Sequence, residues 1–163
     1  WKSCIKIIIA LNIKGSSDQR RFQDIDVEKI LQGLRQISPN LIIILIHEPK
    51  DFELIKQFVN NETSKYVFLS YPTESILDVA ALIDNVDLLI TPDTSLVHMA
   101  CALDVPLLAV YSNDAESFEA WKPISKSSRV EFSNNFDNFE RINVESILSK
   151  SIDLIKLYTK KNL

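Results

Sequence analysis

The residues with the clearest chemical potential follow one short apolar segment. The triplet Asp93-Thr94-Ser95 comes directly after residues 88–92, and His98 follows one helical turn later. Any residue of the triplet can cap a helix that begins there, and the N–H groups and positive dipole of a helix N-terminus form an anion site. The spacing predicts polar side chains aimed at a phosphate or a sugar. The alternative is an ordinary helix cap followed by a half-buried histidine.

Short apolar runs rich in β-branched residues indicate strands that are buried on both faces of a parallel sheet. Between these runs, apolar residues recur at steps of three and four, as amphipathic helices require. The predicted strands are Ile5 to Leu11, Leu41 to Ile46, Tyr66 to Leu69, Asp87 to Thr91, Leu107 to Tyr111 and Arg129 to Phe132. The predicted helices are marked by Val27 to Ile37, Phe52 to Val59, Ile76 to Ile83, Leu96 to Leu103 and Val144 to Tyr158.

Strands that alternate with helices at this spacing predict βαβ units, and therefore an α/β fold with a parallel sheet between two helical layers. We expect a Rossmann-like architecture, in which ligands bind beyond the carboxyl ends of the strands. The stretch from Ser112 to Asn138 is the least regular, and we expect it to wrap the edge of the sheet. Within it, Trp121 is interpreted as an anchor for the irregular segment, with a platform for a sugar as the alternative.

Composition bounds the class of protein. The 163 residues fit one domain, and the net charge of −4 gives no general electrostatic reason to bind nucleic acid or anionic lipid. Two cysteines, Cys4 and Cys101, are too few for a disulfide framework or a cysteine zinc site, so a cytoplasmic location is the expectation. No apolar run approaches the roughly 20 residues of a membrane-spanning helix. The chain opens on Trp1 without a Met, which suggests a piece of a longer polypeptide.

The two glycines, Gly15 and Gly33, exclude the usual phosphate-binding loops. Neither a Gly-x-Gly-x-x-Gly dinucleotide loop nor a P-loop can be written with them. The two histidines, His47 and His98, offer no metal-ligand cluster, so we expect no metal and no bound cofactor. Any phosphate must therefore be bound by other local features.

The segment from Asp87 to Asp114 resembles the signature of glycosyltransferase family 9, the ADP-heptose:lipopolysaccharide heptosyltransferases and their relatives. That signature runs Asp-Thr-Gly, two residues, His, an Ala-rich helix, Gly-x-Pro and a strand. The chain departs from it at Ser95 and Asp104, where the family usually has glycine. The opening of the chain also follows the family order: an apolar strand, a small-residue loop, a basic pair and an aromatic residue, here Ile7 to Leu11, Gly15-Ser16-Ser17, Arg20-Arg21 and Phe22.

This resemblance spans about residues 5–155 and implies the C-terminal, donor-binding half of a GT-B enzyme, with residues 1–163 as one domain. It implies that Asp93, Thr94, Ser95 and His98 face the pyrophosphate and sugar of a nucleotide-sugar donor. Arg20 or Arg21 would neutralise phosphate charge, since arginine presents a planar fork of donors to phosphate oxygens. Ser16 and Ser17 could donate to the same phosphates, although formation of a turn is the commoner explanation for such polar residues.

Two further residues end the second predicted strand, where a Rossmann-like sheet often places a carboxylate on ribose hydroxyls. Glu48 is the ribose candidate, with a helix-leading acid before Pro49 as the alternative. His47 is interpreted as a partly exposed strand-end residue. Tyr71 is expected either to stack on the base or to pack under its loop.

The resemblance implies a glycosyltransferase that transfers a sugar, heptose from ADP-heptose, onto a lipopolysaccharide core. It also implies that the reaction inverts the configuration of the sugar and needs no metal. The general base would come from an absent N-terminal domain that also binds the acceptor, so the chain alone is expected to be inactive. The complete enzyme would work in the cytoplasm or at the inner membrane surface. Two alternatives remain open: a non-catalytic nucleotide-binding or interaction module, suggested by Ser95 and Asp104, and the donor half of another GT-B-like sugar-nucleotide enzyme such as an epimerase.

Overall fold

A computed structural model describes residues 6–15, 17–73, 75–136, 138–140 and 142–161, with side chains up to residue 157. Within these residues the strands are β1 Ile7–Asn12, β2 Leu41–Ile46, β3 Val67–Leu69, β4 Leu88–Pro92, β5 Leu107–Tyr111 and β6 Ser128–Phe132. They form one six-stranded sheet in the order β3-β2-β1-β4-β5-β6. Every neighbouring pair is parallel. The predicted Rossmann-like α/β fold is confirmed.

Helices connect the strands and cover both faces of the sheet. Their bounds are α1 Asp24–Ile37, α2 Phe52–Lys56, α3 Ile76–Asp84, α4 Ser95–Ala102, α5 Ala115–Trp121 and α6 Val144–Lys161. Short 3-10 turns occupy Asp18–Arg20 and Pro49–Asp51. The helices predicted from periodicity are all present, although α2 ends before Phe58 and Val59.

Helix α5 lies in the stretch that the sequence predicts to be irregular, so that prediction is wrong for residues 115–121. The helix begins because the Asp114 carboxylate accepts the N–H groups of Glu116 and Ser117, at 3.1 and 3.2 Å. An N-terminal Asp satisfies donors that have no partner inside the helix. The helix has only seven residues, which is too few for the apolar spacing of a helix to be recognised in the sequence.

The core consists of two apolar layers, one on each face of the sheet. Ile9 and Leu11 of β1 pack with α1 and α6, while the intervening Ala10 packs with α3 and α4 on the other face. Successive side chains of a strand point to opposite faces, which explains the division. Sandwiching the strands between helices buries both faces, as the continuous apolar runs indicate.

Gly33 lies where α1 packs directly against Leu148 of α6. A Cβ at this position would collide with Leu148 Cδ1 and lie only 2.8 Å from Cδ2. The missing side chain therefore lets the two helices pack closely on the same face of the sheet.

Helix α4 ends in a turn that normally favours glycine. Asp104 has a φ of 54°, and the turn is closed by hydrogen bonds from the Val105 N–H to the Ala100 carbonyl at 2.9 Å and from the Asp104 N–H to the Cys101 carbonyl at 3.4 Å. This is a Schellman motif, in which Asp is one of the few residues other than Gly that tolerate the left-handed conformation. Asp104 thus meets the geometric demand that a family glycine would meet at this position.

Candidate functional site

A cleft of about 630 Å³ opens at the carboxyl edge of the sheet, beside the neighbouring ends of β1 and β4. After β1 the chain turns towards α1 on one face, and after β4 it turns towards α4 on the other. The two connections diverge, and this divergence leaves a crevice at the topological switch point of a parallel sheet. The cleft is where this fold class places its ligands.

The N-terminus of α4 forms one wall of the cleft. The sequence allows Asp93, Thr94 or Ser95 as the cap, and the structure selects Thr94, whose Oγ1 accepts the Leu96 N–H at 3.2 Å. Ser95 is exposed at the first helical position, where the backbone N–H has no acceptor within the helix. A helix N-terminus in this position favours an anion in the cleft.

A buried polar network fixes the α4 N-terminus to β1. The Asn12 side-chain amide at the end of β1 donates to Thr91 Oγ1 at 3.0 Å, and Thr91 Oγ1 lies 3.2 Å from Thr94 Oγ1. Thr91 is fully buried and Asn12 is nearly so. Because buried polar groups are costly when unpaired, this network holds the two strand ends and the helix cap in one arrangement.

Arg20 reaches the same wall from the loop after β1. The loop folds back on itself through hydrogen bonds from the Gly15 N–H to the Arg20 carbonyl at 2.6 Å and from the Phe22 N–H to the Ile13 carbonyl at 2.9 Å. A Cβ on Gly15 would lie 2.8 Å from Arg20 Cβ, so the tight loop requires glycine there. Arg20 Nη1 then lies 3.3 Å from Asp93 Oδ2.

Asp93 is a partly desolvated carboxylate beneath that arginine. Burial raises the pKa of Asp93 above its usual range, and the positive charges of Arg20 and His98 act in the opposite direction. The Arg20 side chain is nearly half exposed and lines the cleft, so it remains accessible to a ligand there.

Lys14 is a second cation in the cleft, and sequence reasoning missed it. Its Nζ donates to Asp51 Oδ1 at 2.8 Å and lies 3.1 Å from Asp18 Oδ1. The hydrogen bond to Asp51 is the main cause that raises the pKa of Lys14. Its position two residues after the end of β1 is a signal that could have identified it, since strand ends line the cleft in this fold.

The end of β2 contributes Glu48 and His47. Glu48 lines the cleft at its exposed rim, with Oε2 2.6 Å from Lys50 Nζ. His47 also lines the cleft, but the prediction of a partly exposed residue is wrong because it is buried. Its ring lies edge-on to Phe52 at 5.5 Å, and Nδ1 is 3.1 Å from the Glu48 carbonyl oxygen.

His98 and Trp121 form the opposite end of the cleft. His98 is exposed on α4, and its ring centroid lies 5.9 Å from that of Trp121 at the end of α5. Trp121 is 57% exposed and lines the cleft, which corrects its interpretation as an anchor for an irregular segment.

Not every predicted site residue reaches the cleft. Arg21 instead pairs with Asp24 at the start of α1, and Tyr71 lies outside the cleft lining, with its hydroxyl donating to the Asp78 carbonyl at 2.8 Å. Ser16 lies outside the described residues. The structure thus brings together six of the predicted residues: Arg20, Glu48, Asp93, Thr94, Ser95 and His98.

Among the residues with described positions, no group of three His, Cys, Asp or Glu side chains is arranged to hold a metal ion. None of the described helices combines the length and apolar character needed to cross a bilayer.

Comparison with known proteins gives one family match and several structural matches. The fold resembles ADP-heptose lipopolysaccharide heptosyltransferase II of E. coli, with a TM-score of 0.76, 20% identity and coverage of 93% of this chain and 47% of that one. It also resembles E. coli heptosyltransferase WaaC with ADP, with a TM-score of 0.75, 18% identity and coverage of 91% and 44%. A family 9 glycosyl transferase from Veillonella parvula matches with a TM-score of 0.72, 19% identity and coverage of 93% and 47%.

The chain therefore spans less than half the length of these solved structures, and at such identities the likeness concerns the fold alone. No curated protein sequence matches. The family assignment comes from the sequence profile of glycosyltransferase family 9 (heptosyltransferase), which matches residues 16–150. Since this match covers most of the chain, the protein belongs to glycosyltransferase family 9.

Proposed function

We propose that this chain is the donor-binding domain of a glycosyltransferase and that its cleft binds a nucleotide-sugar donor. The observation that carries the proposal is the meeting of the α4 N-terminus with the cations Lys14 and Arg20 at one switch-point cleft. Backbone N–H groups, a helix dipole and charged side chains together suit a diphosphate.

We propose an adenine nucleotide carrying a heptose as the donor, and a lipopolysaccharide core as the acceptor. Support for the donor comes from similar folds described as an ADP-heptose lipopolysaccharide heptosyltransferase and as a heptosyltransferase with ADP. We assign Glu48 to the ribose hydroxyls, because it lines the same cleft at the end of β2 and a carboxylate at that place suits a ribose.

In the transfer reaction, the bond between the sugar and the diphosphate breaks while an acceptor hydroxyl attacks the sugar. The departing diphosphate gains negative charge, which Arg20, Lys14 and the α4 N-terminus would stabilise. The acceptor hydroxyl needs a general base, which we assign to a second domain that also binds the acceptor. The reaction is proposed to need no metal, and to take place in the cytoplasm or at the inner membrane surface.

Calorimetric titration with ADP, UDP, GDP and CMP tests the proposal. We expect selective binding of ADP, weakened about tenfold by Arg20→Ala, because a charge-assisted hydrogen bond of a half-exposed arginine is worth about 1.4 kcal/mol. Arg129→Ala is the matched control, since it removes the same charge from β6 and Arg129 does not line the cleft.

Selective binding of another nucleotide would reject the adenine assignment and keep the donor cleft. Absence of binding for every nucleotide at millimolar concentration would reject nucleotide-sugar binding by this chain and favour an interaction module. Sugar transfer by the chain alone would contradict the assignment of the general base to a second domain.

A further inference from the structure

Trp121 is a large aromatic side chain that remains mostly exposed beside a polar cleft. Trp121 is 57% exposed and lines the cleft together with His98, whose ring centroid lies 5.9 Å from that of the indole. An indole combines a broad apolar face with one N–H donor, a combination suited to ligands with both apolar and hydroxyl groups.

The position of Trp121 is fixed by contacts of α5 with the neighbouring strands β5 and β6. The Tyr111 hydroxyl, at the end of β5, donates to the Trp121 carbonyl oxygen at 2.8 Å. Phe118, one turn earlier on α5, packs edge-on against Tyr111 at 5.1 Å and against Phe132 of β6 at 4.9 Å. This aromatic support holds α5 on the sheet and presents Trp121 to the cleft in a defined place.

The lining residues follow the order of the strands. Glu48 follows β2, Lys14 and Arg20 follow β1, and the α4 N-terminus follows β4. Trp121 ends the helix that follows β5, so it lies on the far side of the anion site from Glu48. A ligand whose diphosphate sits at the centre of the cleft can place one end near Glu48 and the other near Trp121.

We infer that Trp121, with His98 beside it, forms the subsite for the sugar of the nucleotide-sugar donor. The inference deepens the proposed function and rests on it. The C–H groups on one face of a pyranose carry partial positive charge and suit the negative face of the indole, while the His98 imidazole can hydrogen-bond a sugar hydroxyl. The ribose and base then extend towards Glu48.

The competing arrangement reverses the ligand, so that the base stacks on Trp121. The two arrangements differ in what Trp121 contacts when the sugar is absent. In the inferred arrangement ADP alone leaves Trp121 largely untouched, whereas in the reversed arrangement ADP already covers the indole.

The test compares ADP with ADP-heptose on the same variants by calorimetry. We expect ADP-heptose to bind the parent chain more tightly than ADP. We also expect Trp121→Ala to weaken ADP-heptose about tenfold while changing ADP less than about twofold. Trp121→Phe keeps a flat aromatic face and is expected to retain most of the difference. Ile124→Ala, which removes an exposed apolar side chain outside the cleft lining, is the control and is expected to change neither affinity.

Fluorescence supplies a second readout, because the chain has two tryptophans. In a Trp1→Phe background the remaining emission reports Trp121, and we expect ADP-heptose to shift it while ADP at saturation does not. Equal losses for ADP and ADP-heptose in Trp121→Ala, or an emission shift caused by ADP, would overturn the inference while leaving the donor cleft in place. ADP binding that is sensitive to Arg20→Ala, with no effect of Trp121→Ala on either ligand, would also overturn the inference alone. Failure of the parent chain to bind ADP would overturn the proposed function and this inference together.

Discussion

Thr91→Val tests whether the polar network at the switch point supports the site. Thr91 Oγ1 accepts from the Asn12 amide at 3.0 Å and can donate to the Pro92 carbonyl at 2.9 Å. Thr91 is fully buried and Asn12 is 7% exposed, so water cannot readily replace the lost hydroxyl. Valine keeps the branched shape of threonine and removes only the oxygen.

The magnitude follows from what the substitution leaves unpaired. A buried amide donor without an acceptor costs about 1–3 kcal/mol, and the additional apolar contact of valine offsets only part of that cost. We therefore expect a loss of about 2 kcal/mol in the free energy of unfolding. For a domain of 163 residues that loss lowers Tm by about 4–8 °C.

Urea unfolding followed by circular dichroism measures the effect, with Ser151→Ala as the matched control. The Ser151 hydroxyl is equally buried, but it donates to the Ile147 carbonyl within α6 at 2.8 Å. That carbonyl also accepts a helical backbone bond, so the control leaves no buried group unpaired and should cost less than about 0.5 kcal/mol. Equal stability of the two variants would refute the argument that the network supports the strand ends.

Three further changes test other parts of the structure. Asp104→Gly should raise the free energy of unfolding by about 0.5–1 kcal/mol, because Gly adopts the left-handed turn without strain; lower stability in urea would contradict this reading of the Schellman motif. Gly33→Ala should lower the free energy of unfolding by about 1 kcal/mol, because crowding against Leu148 exceeds the gain in helix propensity. Leu148→Ala in the same chain should relieve that crowding. An unchanged Tm for the single Gly33→Ala variant would contradict the close approach of the two helices. Burial raises the pKa of the Asp93 carboxyl in the folded state above that in the unfolded state, so folding favours the protonated carboxyl. The stability that this preference contributes is fully present below the unfolded-state pKa of about 4 and is lost as pH rises through the folded-state pKa. The stability of Asp93→Asn relative to the parent should therefore increase between pH 4 and pH 7, and a difference independent of pH in urea unfolding would count against a desolvated Asp93.

Much of the fold could be predicted because its signals are local. The apolar runs of β1 and β2 are long enough to mark strands, and the steps of three and four in α1 and α6 mark helices. Helix α5 escaped prediction because its start depends on one side chain, the Asp114 carboxylate, rather than on a repeated pattern.

The candidate site was predicted in part for a similar reason. Asp93, Thr94 and Ser95 follow a strand and precede a helix, so their place at the cleft comes from chain order alone. The choice between Arg20 and Arg21 could not be made that way. Arg20 ends a 3-10 turn, whereas Arg21 has extended backbone, with φ −122° and ψ 136°. The local conformation differs between the two residues, and only Arg20 reaches Asp93, while Arg21 pairs with Asp24.

The sequence by itself determined the parallel α/β sheet, the helix N-terminus after β4 and the family to which the chain belongs. Only the tertiary structure decided that Lys14 meets Asp51, 37 positions later in the chain, and that Trp121 lies beside His98 at one end of the cleft. Strand and helix patterns arise from interactions between residues a few positions apart, whereas these contacts depend on how the strands order themselves in the sheet and how the loops at its carboxyl edge pack.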